Sequence, residues 1–155
     1  MKMALYCENV PTPVGTLCVC SDGEAVTGIR FGAGETNGGC PVTGQARQQL
    51  TEYFAGQRRE FDLPLAPAGT DFQRRVWELL REIPYGETVT YGELARRLGN
   101  PRAARAVGMA CNRNPIAIVV PCHRVVGSTG SLTGYAGGLD TKAFLLKLEG
   151  ALPHG

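Results

Sequence analysis

The run Ile118-Val119-Val120-Pro121-Cys122-His123-Arg124-Val125-Val126 sets one cysteine directly against a histidine, behind a proline and between two apolar stretches. A thiol that only fills a core needs neither neighbour. A thiol that must become a thiolate can use both, because imidazole accepts its proton and nearby positive charge favours the anion. Pro121 restricts Val120 to an extended conformation and sets its own φ, which holds Cys122 at a defined place. Glu149 is the third group. It falls at the C-terminal end of a predicted helix, where the dipole disfavours an anion, and a partner such as imidazole would account for it. Cys122, His123 and Glu149 then match a nucleophile, a base and an orienter. Neighbours on a regular strand point to opposite faces, so the backbone must turn at Cys122 or a water must bridge thiol and imidazole.

The remaining cysteines suggest no second centre. Cys18 and Cys20 share one face of a strand, but Cys-x-Cys lacks structural-zinc spacing, and His123 and His154 are the only histidines. No metal is expected. The 155 residues are 43% hydrophobic and 19% charged, with no apolar stretch long enough to span a membrane. Met1 to Leu5 is too short for a signal peptide, so a cytoplasmic location is expected, with all six cysteines reduced.

Net charge is only +2, but its distribution is uneven. Leu94 to Leu139 contains no acid, while Arg96, Arg97, Arg102, Arg105, Arg113 and Arg124 all fall inside it. Such a segment suits an anionic partner such as a phosphate backbone; a solvated helix face is the plainer meaning.

The elements that must position these groups form an α+β chain: a small N-terminal antiparallel sheet with a helix (1–66), then a mostly helical C-terminal domain (67–155). Val14–Ser21 and Ala25–Phe31 read as strands around the hairpin dipeptide Asp22-Gly23. Gly32–Pro41 reads as a loop, and Ala46, Leu50, Tyr53 and Phe54 follow helical spacing up to Gly56. Leu63–Gly69 is the candidate linker. A helix capped by Thr70 or Asp71 carries Phe72, Val76, Leu79, Leu80 and Ile83 to Pro84, with Trp77 packed.

Thr90-Tyr91-Gly92-Glu93 fits a capping box opening a short helix. Gly99 ends it, Asn100 caps the next, and Pro101 stands at that helix's first position. Two helices joined so briefly make a helix-turn-helix, the second built of alanine and glycine with Arg102 and Arg105 on one face. Ile116–Val120 reads as buried and extended, and a last helix starts near Asp140.

With these motifs in place, the chain resembles the O6-alkylguanine-DNA alkyltransferases. The match lies in Pro121-Cys122-His123-Arg124-Val125, Arg105-Ala106-Val107-Gly108, Asn114-Pro115, Tyr135 with Gly137-Gly138-Leu139, and Glu149-Gly150. It runs from about Phe72 to Gly150, and before that only in outline through Thr12-Pro13-Val14-Gly15. The resemblance implies that an alkylated guanine is flipped from duplex DNA and that Cys122 takes its O6 alkyl group, once and without a cofactor.

By position, Tyr91 would assist flipping and donate a proton towards N3, and Arg105 would fill the vacated stack. Arg102, Ala103 and Ala104 would lie beside Arg105 on the DNA. Asn114 would brace the hinge before the active site, and His123 and Glu149 would activate Cys122 through water. The carbonyls of Cys122 and Val125 would read the guanine amine, and Met109, Tyr135 and Ala136 would line the pocket. Ala136 replaces a serine found in some relatives, and Ala117 a proline. Some relatives hold zinc in the N-terminal domain, where this chain has no histidine. A monomer is expected. Two readings compete: a damage sensor without chemistry, disfavoured by Cys122, and a cysteine hydrolase, which leaves the helix-turn-helix and Arg105 unused.

Overall fold

A computed structural model describes residues 5–152, so His154 and the first four residues lie outside the description. The contacts divide the chain into two compact units. One runs to Ala68 and also takes in Pro115–Ala117; the other comprises Gly69–Asn114 and the chain from Ile118 onward.

The first unit is a three-stranded antiparallel sheet with one helix. Strands β1 (Tyr6–Thr12), β2 (Gly15–Ser21) and β3 (Val26–Phe31) lie in the order β1-β2-β3. β1 escapes the strand pattern because Glu8 and Asn9 interrupt its apolar residues and Pro11 stands in it, as an edge strand permits. Helix α1 (Pro41–Phe54) packs on the sheet. It buries Ala46, Leu50 and Tyr53 against a face that carries Val10, Leu17 and Val19. Glu8 faces the helix too, accepting a 2.7 Å bond from Thr43 and pairing with Arg47 at 3.0 Å.

Period-two alternation puts Cys7, Asn9, Cys18 and Cys20 on the opposite face. There Cys7 and Cys20 are joined by a disulfide, which corrects the expectation of six reduced thiols. The register sets them directly opposite each other with Cα atoms 4.2 Å apart, a pairing that needs β1 to be recognised. The candidate linker also pairs with the sheet. Leu65 bridges Val26 in parallel, with the Val26 and Ala66 amides exchanging bonds with Pro64 and Val26 carbonyls.

The second unit is mostly helical. Helix α2 (Asp71–Arg81) starts at a capping box in which Thr70 Oγ1 accepts from Gln73 N and Gln73 Oε1 accepts from Thr70 N. Val76, Trp77 and Leu80 form its buried face, and Trp77 Nε1 donates to the Ala110 carbonyl at 2.9 Å. Strand β4 (Val89–Thr90) leads into helix α3 (Tyr91–Arg97), capped by the Thr90 hydroxyl. A turn through Gly99 (φ 82°) connects to the second helix of the motif. That helix is not α-helical from its proline: Pro101–Ala103 is a 3₁₀ turn under the Asn100 cap, and α4 proper is Ala104–Asn112. Short 3₁₀ pieces are common at helix N-termini. Helix α5 (Leu139–Leu148) closes the unit.

Among the described residues no helix is long and apolar enough to cross a membrane.

Candidate active site

Ile116–Val120 is buried throughout, but only Ile116 keeps the expected extended pairing, bridging Ile29 in parallel, and the chain turns from Ala117 onward. The side chain of Asn114 explains the difference. Its Nδ2 donates to the Val120 carbonyl at 2.8 Å, closing a loop across six residues, and Ile118 is held at φ 72° within it. A β-branched residue there stores strain of about 1–3 kcal/mol, which the surrounding bonds must offset.

Pro121 then sits at φ −84° and ψ 63° with the Cys122 amide bonded back to the Val120 carbonyl at 2.9 Å. This is an inverse γ-turn, and the fixed φ of proline suits its centre. Cys122–Arg124 continues as one 3₁₀ turn, so the backbone does turn at the cysteine. Strand β5 (Val125–Val126) follows and pairs in parallel with β4, Thr90 opposite Val126. This short pairing ties the N-terminus of α3, and hence Tyr91, to the chain just beyond Cys122.

Two buried side chains meet at the buried Glu149. His123 Nε2 lies 2.8 Å from Oε2, and Arg124 binds both oxygens, at 2.8 Å through Nε and 3.0 Å through its terminal nitrogen. The other terminal nitrogen of Arg124 donates to the Ile83 carbonyl at 2.6 Å. Glu149 is the C-cap of α5, so its two cationic or donor partners answer the unfavourable dipole position. Burial disfavours its charge, yet the bonds from His123 and Arg124 prevail and bring its pKa down to about 2. Burial pushes His123 below its ordinary value, against the pull of Glu149. The ring is therefore neutral near pH 7. With Nε2–H donating to the carboxylate, Nδ1 is the basic atom, and among the described residues nothing bonds to it.

Cys122 is 8% exposed. Burial raises its thiol pKa, while the Asn114 amide, 3.3 Å from Sγ, and the charge of Lys142 lower it. Lys142 is a site residue that sequence reasoning missed. It is buried on α5 and donates to the Thr133 carbonyl at 2.7 Å; the Thr133 hydroxyl donates to Tyr91 Oη at 3.4 Å. A lysine facing inward from a helix that reads as amphipathic was the available signal. Tyr135 stands edge-on to His123 with ring centroids 6.4 Å apart, Val125 is fully buried, and Ala136 is exposed.

Two expected positions differ. Met109 is 62% exposed and lines a groove with Thr70, Phe72, Gln73, Ala106 and Arg113, so it does not face Cys122. Two residues on, Cys111 turns inward into the electrostatic field of Cys122; burial lifts its thiol pKa to about 12 and keeps it neutral. Ala103 is buried, which removes its side chain from the exposed face, whereas Arg102 and Arg105 are exposed and Ala104 is partly so. The acid-free segment also offers fewer free charges than its composition suggests. Arg124 belongs to Glu149, and Arg97 pairs with Glu93 at 3.0 Å. Arg96, Arg102, Arg105 and Arg113 remain on the surface.

Residues 71–151 match the family model of the 6-O-methylguanine DNA methyltransferase DNA-binding domain, and residues 5–67 that of the same family's ribonuclease-like domain. A methylated-DNA–protein-cysteine methyltransferase from Methanosarcina acetivorans is 51% identical over 95% of this chain and 99% of its own. Its counterpart from Mycobacterium leprae is 47% identical over 94% and 92%. The crystal structure of Mycobacterium tuberculosis OGT in complex with DNA superposes with a TM-score of 0.87 at 46% identity, covering 94% of this chain and 92% of that one. With one family covering both units, and buried Cys122, His123 and Glu149 in the matched region, the chain belongs to the 6-O-methylguanine DNA methyltransferase family.

Proposed function

We propose that this protein is a methylated-DNA–protein-cysteine methyltransferase that repairs alkylated duplex DNA, taking the alkyl group of O6-alkylguanine onto Cys122. The observation that carries the reading is the pair of interactions around one turn: Asn114 on the Cys122 sulfur, and Glu149 on the adjacent imidazole.

The Cys122 proton passes through a bridging water to His123 Nδ1, and Glu149 stabilises the imidazolium that results. The thiolate attacks the alkyl carbon in line with its bond to O6. A sulfur–carbon bond forms, the carbon–oxygen bond breaks, and its electron pair goes to the guanine. Tyr91 supplies a proton towards N3 of the leaving base, so guanine departs neutral. Asn114 lowers the energy of the thiolate and fixes the sulfur's direction.

Reaching that sulfur requires the base to leave the stack, which costs a few kcal/mol. Arg105, exposed on a helix of small residues, enters the minor groove and occupies the gap; Arg102 and Ala104 lie along the same surface. Val125, Tyr135, Ala136 and Cys111 form the pocket. The product is a thioether, and no group here can cleave one, so each molecule acts once and needs no cofactor. A DNA substrate fits the cytoplasmic location expected from the sequence.

Intact mass after incubation with an O6-methylguanine duplex tests this. A gain of one methyl group, mapped to Cys122 and absent in Cys122→Ala, is expected. Duplex binding without any mass gain would make the protein a damage sensor, and turnover beyond one equivalent would make it a true catalyst.

A further inference from the structure

The sheet face turned away from α1 carries a sulfur cluster that the alkyl-transfer reaction does not use. The Sγ atoms of Cys7, Cys18 and Cys20 all lie within 4.8 Å of one another and all three residues are buried. Cys7 and Cys20 form the disulfide, and the Cys18 sulfur lies 3.8 Å from that of Cys20.

The surroundings hold the cluster closed. Asn9, which pairs with Cys18 in the register, both donates to and accepts from Gly34, at 3.2 and 3.1 Å. This lays the loop backbone so closely on the sulfur that a side chain at Gly34 would start 2.8 Å from it. Asn37 accepts from the Cys7 amide at 2.9 Å and donates to the Leu5 carbonyl at 2.9 Å. The two asparagines thus fasten the glycine-rich loop to the strand that carries Cys7, with Gly34 against the Cys18 sulfur.

We propose that Cys7, Cys18 and Cys20 form a redox-gated site for one thiophilic d10 cation of the zinc class, and that the disulfide and the metal exclude each other. Two electrons and two protons from a dithiol reductant cleave the Cys7–Cys20 bond, and the reductant leaves as its own disulfide. The two sulfurs then separate to non-bonded distance beside the third. Zinc–sulfur bonds of about 2.3 Å in tetrahedral geometry place neighbouring sulfurs about 3.8 Å apart, the spacing Cys18 and Cys20 already have. Binding of the divalent ion to three thiols releases three protons and leaves its fourth position open. Histidine is not required, because thiolate alone suits soft cations. The sheet face therefore keeps a cross-link under reducing conditions, where a disulfide would be lost.

The test uses the full chain, reduced anaerobically with a phosphine that is then removed, and titrated with Cd²⁺ alone. Sulfur-to-metal charge-transfer absorbance and native mass report uptake. Reduced wild type should bind one more ion than the oxidised protein, which should retain its two-hydrogen mass deficit. Cys18→Ser and Cys18→Val should lose that ion, while Cys40→Ser should keep it. Equal uptake by the oxidised and reduced wild type overturns the proposal even if the variants fail to fold. So does undiminished uptake in folded Cys18→Val.

Discussion

Asn114 and Cys122 are joined by a hydrogen bond of 3.3 Å from the amide Nδ2 to the sulfur, and the same Nδ2 closes the preceding loop on Val120 at 2.8 Å. One side chain therefore both shapes the turn that presents Cys122 and favours its anion. Asn114→Ala should raise the thiol pKa of Cys122 and slow alkylation by free O6-benzylguanine. It should also cost about 1 kcal/mol of stability, because the Val120 carbonyl keeps only the Cys122 amide of its two donors. Thiolate absorbance against pH and a thermal melt separate the two effects. An unchanged thiol titration in a destabilised variant would leave Asn114 with the loop alone.

Arg105 is exposed on the helix of small residues, whereas the His123–Glu149 pair is buried. Arg105→Ala should slow repair of duplex substrate about tenfold or more, since each 1.36 kcal/mol of lost flipping assistance is a factor of ten. Reaction with free O6-benzylguanine needs no flipping and should be little changed. Equal slowing with both substrates would instead tie Arg105 to the thiol.

In the proposed relay, His123 raises the thiolate fraction of a cysteine whose pKa burial pushes above its ordinary 9.0. His123→Ala should slow alkylation by both DNA and the free base, with the rate climbing again as pH rises and solvent removes the proton. A pH–rate profile measured on the folded variant checks this. Wild-type rates near neutral pH would exclude the relay.

Stability should fall with acid in two stages of the same sign. His123 has a folded pKa below its ordinary 6.5, so the unfolded chain takes up its proton first and stability declines as pH falls through that value. Glu149 contributes stability that is complete above 4.5 and is lost as pH falls towards about 2, on the order of 3 kcal/mol. Glu149→Gln should abolish the second stage. At pH 7 it should cost about 3–5 kcal/mol, because Arg124 stays buried without its counter-charge. Denaturant midpoints across pH measure both.

Met109 and Cys111 distinguish the pocket from the surface. Met109→Ala should leave reaction with the free base unchanged, whereas Cys111→Leu should slow it by crowding the buried side of Cys122. The reverse result would return Met109 to the pocket.

What could be read from the chain alone was whatever depends on near neighbours. Thr70 and Thr90 cap the helices they precede, Gly56 and Gly99 end others, and Pro121-Cys122-His123 is self-evident as a reactive run. Even the odd place of Glu149 pointed to a partner. Contacts between distant residues decided the rest. Asn114 turned an apolar, β-branched run into a loop, overriding a local preference for strand. Arg124, counted among free charges, joined Glu149 because the turn at Cys122 aims it inward. Two residues, about 200° of helical phase, separate buried Cys111 from exposed Met109, and no composition argument fixes that phase. Lys142 became part of the site only through Thr133, and Cys7 met Cys20 only through the register of an edge strand. Spacing along the chain specifies which groups are near in sequence; their meeting across 6 to 42 residues is set by packing, which no local pattern encodes.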